Sequence, residues 1–244
     1  MNNILVLQIE DREVPFLETL MNQNKKICLK NNINYVNLKK SSYNVPPYWG
    51  KVFEIYKIIK KQPNLSYIIW LDSDAVFYNF DKIKLIALLN DNIDYSFIMS
   101  KDMPPWETND FNAGSFIVKN DEIGLEIIKK WMTYYNPDKW YNVNDEWLTN
   151  AQWADEDYEQ GSFSKYIYHD KKFFKYIKQL PFYILNNNNC SDNNSDIVVS
   201  HLAGYHKENQ VNIDNCLQSF KNSNDNTIPF LIVLIILLLI LKFI

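Results

Sequence analysis

The stretch Tyr67-Ile-Ile-Trp-Leu-Asp-Ser-Asp-Ala-Val-Phe77 constrains this chain more than any other. Tyr67 to Leu71 is apolar without a break and stops at Asp72-Ser73-Asp74. A short continuous run rich in Ile and aromatics predicts a strand buried on both faces, as in the parallel sheet of an α/β domain. Ligands of such sheets bind just outside the carboxyl ends of the strands. Asp72 and Asp74 therefore stand at the expected ligand edge, with Ser73 permitting a tight turn. Two carboxylates one residue apart offer hard oxygens to Mg²⁺ or Mn²⁺. A plain polar turn uses the same residue types, so the choice between the two rests on the rest of the chain.

Upstream, Ile4 to Ile9 reads as a strand, Glu13 to Asn31 as a helix with a polar break near Gln23, and Ile33 to Leu38 as a second strand. This β-α-β opening predicts a right-handed parallel crossover. The acidic strand end at Glu10-Asp11 is either a solvated turn or a contact for a nucleoside. Val52, Ile55, Tyr56 and Ile59 follow a helical period, which places Lys51 at or near a first helical turn. A lysine there opposes the helix dipole unless an anion binds. Downstream, Ile83 to Leu89 is a short helix, Tyr95 to Met99 and Ser115 to Val118 are strands, and Asn120-Asp121 caps a helix. Asn112-Ala113-Gly114 forms a tight entry to the second of those strands, where glycine lets a ligand approach the backbone. Trp140 to Trp153 lacks periodicity and is expected to be a long loop acting as a lid or binding wall. Asp155 to Gln160 precedes a helix over Gly161 to Tyr168, and Phe182 to Leu185 reads as a strand. Ile197 to Gly204 is a further strand carrying His201, a third candidate ligand beside Asp72 and Asp74.

Composition narrows the chemistry. Five glycines in 244 residues exclude both GxGxxG and Walker-type phosphate loops. Phosphates would have to be gripped by metal and cationic side chains. A net charge of −4 argues against a nucleic-acid partner. Cys28, Cys190 and Cys216 form no CxxC pair and fit a reducing compartment, with a Cys190–Cys216 bridge left open.

Taken in order, Trp49-Gly-Lys51, Trp-Leu-Asp-Ser-Asp-Ala75, Asn-Ala-Gly-Ser-Phe116, Glu-Gln160 and His201-Leu-Ala-Gly-x-x-Lys207 resemble glycosyltransferase family 34. These are retaining α-galactosyl- and α-xylosyltransferases of the GT-A fold, and the resemblance covers roughly Ile4 to Lys207. Family 8 glycosyltransferases are the nearest rival. The resemblance implies a Rossmann-like, mostly parallel central sheet flanked by helices. It implies Mn²⁺ (or Mg²⁺) on Asp72, Asp74 and His201, holding the diphosphate of a nucleotide sugar, UDP-linked by preference. It further implies a donor site of Lys51, Ser73, Gly204 and Lys207 with Asn112, Ala113, Gly114 and Ser115, and catalytic roles for Glu159 and Gln160. Glu159 stands where the family has Asp. The acceptor would be a glycan or glycoconjugate; a non-catalytic sugar-binding scaffold is the reading from another class.

The carboxyl-terminal part divides into the domain over 1–220, a polar linker over 221–227 and an apolar run over 228–244 whose only charge is Lys242. At about 1.5 Å per residue this run spans about 25 Å, short of the roughly 30 Å hydrocarbon core. It is nevertheless expected to be a single-pass, carboxyl-terminal membrane anchor. With no amino-terminal signal, the catalytic domain is expected on the cytosolic side, and the sequons at Asn64, Asn189 and Asn193 are expected to stay unmodified.

Overall fold

A computed structural model describes residues 3–103, 110–190, 194–203 and 213–216. The elements in chain order are β1 (Ile4–Ile9), α1 (Pro15–Lys30), β2 (Asn34–Leu38), α2 (Pro47–Lys61), β3 (Tyr67–Leu71), β4 (Ala75–Phe77), α3 (Lys82–Asp91) and β5 (Phe97–Ser100). They continue with β6 (Ser115–Lys119), α4 (Glu122–Met132), β7 (Trp140–Val143), β8 (Glu146–Thr149), α5 (Glu159–Ser162), β9 (Ile177–Leu180), α6 (Phe182–Leu185) and β10 (Val199–His201). The main sheet has the order β2-β1-β3-β6-β5-β9, and every neighbouring pair is parallel except the two that involve β6.

Alternation along the central strands divides the core in two. Ile4 and Val6 of β1, with Tyr67, Ile69 and Leu71 of β3, pack on one side with α1 and α3. Leu5 and Leu7, with Ile68 and Trp70, pack on the other with α2 and α4. Both faces of β3 are buried, as its unbroken apolar run predicts.

The single reversed strand sets the site. Because β6 runs against β3, Ser115 pairs with Leu71, so the entry to β6 lies at the carboxyl edge of β3. The loop from β5 to β6 therefore returns to the same edge as Asp72. A second small sheet pairs β4 with β10 and sets His201 opposite Ala75. The polar break in α1 also has a structural purpose. Buried Asn24 donates to the Gln8 side chain and the Ala75 carbonyl and accepts from the Phe77 amide, tying α1 to β4.

Several expectations need correction. Trp140 to Trp153 is not one loop: β7 and β8 form an antiparallel hairpin. Its turn is Asn144-Asp145, both at positive φ, the pairing that suits a two-residue hairpin turn. Phe182–Leu185 is a short helix rather than a strand. α2 starts at Pro47, a favoured first helical residue, so Lys51 sits one turn further in than expected. Cys190 and Cys216 are joined by a disulfide. Such bonds persist in oxidising surroundings, which runs against both the reducing compartment and the cytosolic placement. Among the described residues no helix is long and apolar enough to cross a membrane. The single-pass anchor thus has no support, and 228–244 lies outside the described residues.

Candidate active site

The edge beyond β3 gathers most of the residues singled out in the sequence. The Asp72 amide donates to the Gly114 carbonyl at 2.7 Å, and the Leu202 amide donates to the Asp74 carbonyl at 3.0 Å. The Asp72-Ser73-Asp74 turn is thereby pinned between β6 and β10. Asp72, Asp74 and His201 each offer a ligand atom, all within 4.8 Å of one another. Two carboxylates and one imidazole suit a hard or borderline divalent cation, and the nitrogen favours Mn²⁺ over Mg²⁺. His201 Nδ1 lies 2.7 Å from the Asn186 side-chain oxygen, so Nδ1 carries the hydrogen and Nε2 faces Asp74 Oδ1 at 3.2 Å. An imidazole oriented in this way from behind is the usual condition of a metal-binding histidine. Burial disfavours the imidazolium of His201, but Asp74 and, less strongly, Asp72 outweigh it and raise its pKa.

Gly114 is required by packing against protein, not by approach of a ligand. A β-carbon there would lie 1.9 Å from Cε1 of His201, so the imidazole occupies the space of the missing side chain.

Lys51 is turned inward and only 4% exposed. Its ammonium meets Asp72 Oδ1 at 2.9 Å, Glu159 Oε1 at 3.0 Å and the Ala113 carbonyl at 3.0 Å. Three donors meet three acceptors, which leaves none for a phosphate. The cluster is enclosed: burial pushes Glu159 up, opposed by Lys51 and reinforced by Asp72. Lys51 is held protonated because the two carboxylates outweigh its own burial. Trp70 Nε1 donates to the same Asp72 oxygen at 2.8 Å, so that oxygen is committed. Glu159 thus lies beneath Lys51 and steadies it.

Gln160, next in sequence, reaches the edge. Its oxygen accepts from the Ala113 amide at 2.9 Å and its nitrogen lies 3.4 Å from Asp102 Oδ2. Asp102 also accepts from Asn112 Nδ2 at 2.8 Å, while the Asn112 oxygen accepts from the Gly114 amide. Buried Asp102 was absent from the sequence reading. It stands in a loop with no periodic signal, and only the fold brings it to Asn112 and Gln160. Ser115 is buried and donates to the Leu185 carbonyl. Ser73 is buried as well and donates to Glu10, whose carboxylate is gripped by Arg12 through Nε at 2.8 Å and Nη2 at 2.7 Å. Burial raises Glu10, yet hydrogen bonds from Arg12 and Ser73 hold it below the usual carboxylate range. The Arg12 side chain is 59% exposed and lies within Coulomb reach of Asp74. It puts a cation at the edge that the acidic strand end had hidden. Gly204 and Lys207 lie outside the described residues.

A mostly parallel sheet, covered on both faces, thus carries the Asp72, Asp74 and His201 group at its carboxyl edge. Residues 3–109 match the model of glycosyltransferase family 34, the galactosyl transferase GMA12/MNN10 family. An uncharacterised alpha-1,2-galactosyltransferase of Schizosaccharomyces pombe is 24% identical over 148 residues, covering 48% of this chain and 40% of that protein. An alpha-1,2-galactosyltransferase of the same organism is 24% identical over 192 residues, covering 64% of this chain and 46% of that protein. The chain spans less than half the length of these relatives. Among solved structures, a glycosyltransferase involved in the glycosylation of the major capsid of PBCV-1 superposes with TM-score 0.65 at 17% identity. It covers 87% of this chain and 99% of that one, and shows that the fold is shared.

Proposed function

We propose that the protein is a divalent-metal-dependent glycosyltransferase that moves a hexose or pentose from a nucleotide sugar, UDP-linked by preference, to a glycan or glycoconjugate. The names of its relatives favour galactose as the sugar. The observation that carries the reading is the convergence of Asp72, Asp74 and His201 from two different strands at one sheet edge. A cation held there would neutralise the charge that grows on the departing diphosphate.

The protein's own groups supply the rest. Lys51 fixes Asp72, Asn186 fixes His201, and Gly114 leaves room for the imidazole. Arg12 adds a positive charge beside the turn. Gln160, tied to the Ala113 amide, is the polar group best placed to orient the sugar. Glu159, which holds Lys51 from below, acts on the site through that lysine. By family resemblance an α-linked donor gives an α-linked product, and the product's anomeric proton signal checks this.

Calorimetric titration with Mn²⁺ and UDP tests the reading. Wild-type protein is expected to bind UDP in a Mn²⁺-dependent manner, and Asp74→Ala to lose that dependence while remaining folded. Unchanged Mn²⁺-dependent affinity in the variant would remove the metal assignment. Binding without turnover across a panel of nucleotide sugars would favour the scaffold reading.

A further inference from the structure

Beside the charged cluster stands a group of aromatic residues that the donor reading does not use. Tyr48 lies on α2 one turn before Lys51, and Tyr158 immediately precedes Glu159. Trp153 contacts both, at ring-centroid distances of 5.3 and 5.0 Å, in edge-on geometry. Trp140 closes the group from the hairpin, 5.0 Å from Tyr158. Trp49 and Trp140 both donate to the Asp157 carbonyl, which fixes the backbone leading to Tyr158. Trp153 is the most open of these rings, at 65% exposure, against 37% for Tyr48.

Its presentation is fixed by backbone geometry. Ala154, the next residue, has φ of +60°, a conformation that non-glycine residues adopt at a cost and that persists where the surroundings impose it. Here the imposing element is α5. A β-carbon on Gly161 would lie 2.2 Å from the carbonyl oxygens of Ala154 and Asp155, so the strained turn rests directly on Gly161. The residue before Gly161 is Gln160. Trp153 is therefore held at a set position relative to the proposed sugar-orienting amide. An open cleft of about 230 Å³ adjoins the same turn, lined among others by Asp110, Asp155, Gln160, Lys165 and His169.

We infer that Trp153 and the cleft beside Gln160 form the acceptor subsite, taking a neutral saccharide whose apolar face stacks on the indole. The inference rests on the proposed transferase reading and deepens it. Sugars carry an apolar C–H face and a rim of hydroxyls. An exposed indole face with a negative quadrupole suits the first, and carboxylate, amide and imidazole groups suit the second. A protein partner would call for a wider apolar patch with a polar rim, whereas here Trp153, with the partly open Tyr48 against it, directly precedes Ala154 in the wall of a polar cleft.

The test uses the full chain with Mn²⁺ and UDP present, titrated with maltotetraose, cellotetraose and mannotetraose. At least one is expected to bind, and Trp153→Ala to weaken that binding by about tenfold or more, the loss typical of truncating an aromatic anchor. Trp153→Phe, which keeps a stacking face, is expected to recover most of it. Equal saccharide affinity in Trp153→Ala and wild type overturns the inference, as does failure of all three saccharides to bind wild type. An equal loss of Mn²⁺–UDP affinity in Trp153→Ala also overturns it, because the residue would then be acting through the charged cluster. If wild-type protein does not bind Mn²⁺ and UDP at all, the donor reading fails instead.

Discussion

Replacing Lys51 by Met removes the cation paired with buried Glu159. The methionine fills the same space, so the effect is electrostatic rather than a cavity. Glu159 is 5% exposed at its side chain and cannot regain water. It escapes its unpaired charge by taking up a proton. At pH 7, about 2.7 units above the unfolded-state pKa of about 4.3, that uptake costs about 3.7 kcal/mol at roughly 1.4 kcal/mol per unit. The hydrogen bond lost at the Ala113 carbonyl adds about 1 kcal/mol. Lys51→Met should therefore destabilise the fold by at most about 4–5 kcal/mol at pH 7, less the penalty that Glu159, whose pKa is already raised, carries in the wild type. The folded-state pKa of Glu159 lies above its unfolded value already in the wild type, and further above it in the variant. The penalty is thus absent below the unfolded pKa and grows as pH rises toward the folded one. At pH 5 at most about 1 kcal/mol of charge penalty should remain. Urea unfolding of wild type and variant at pH 5, 6 and 7 reads this directly. The double variant K51M/E159L, which removes both charges, should recover most of the loss. A pH-independent loss under about 1 kcal/mol would refute the argument, since Glu159 would then be neither enclosed nor dependent on Lys51.

Three further outcomes are expected. Gly114→Ala should push the His201 imidazole out of place, lowering Mn²⁺ affinity about tenfold or more and stability by about 1–3 kcal/mol, read by calorimetry and thermal unfolding. Glu54 is pushed up by burial, but its hydrogen bonds from Ser42 and Ser41 and the charge of Lys57 outweigh that and depress its pKa. It should therefore contribute stability that is present above its unfolded pKa and lost as pH falls through the lower folded value, and Glu54→Gln should flatten the acid limb of the stability–pH curve. Reducing Cys190–Cys216 should cost about 3.5 kcal/mol by the loop-entropy relation for a separation of 26 residues, measured by unfolding with and without dithiothreitol.

The local sequence was sufficient where the signal was local. The run Tyr67–Leu71 forms a strand covered on both faces, because a strand with one face in water commonly alternates apolar and polar residues and this one does not. Asp121 caps α4 through its own neighbourhood, accepting from the Gly124 amide. Asn144-Asp145 was legible as a hairpin turn but was masked by the aromatic density around it. Phe182–Leu185 misled because a four-residue apolar run has no period that separates strand from helix.

Tertiary structure decided the roles within the site. Lys51 looked like a free cation at a helix start. Only the packing of α2 against α5 and the β6 entry reveals that its three donors are taken by Asp72, Glu159 and Ala113. Gly114 looked like a place for ligand to approach, yet its empty side-chain space is filled by His201, 87 positions along the chain. Asp102, Asn112 and Gln160 meet because β6 reverses direction and returns its entry loop to the edge of β3. Residue types and spacing record what a side chain can do. Which of its atoms remain available depends on neighbours that sequence distance does not encode.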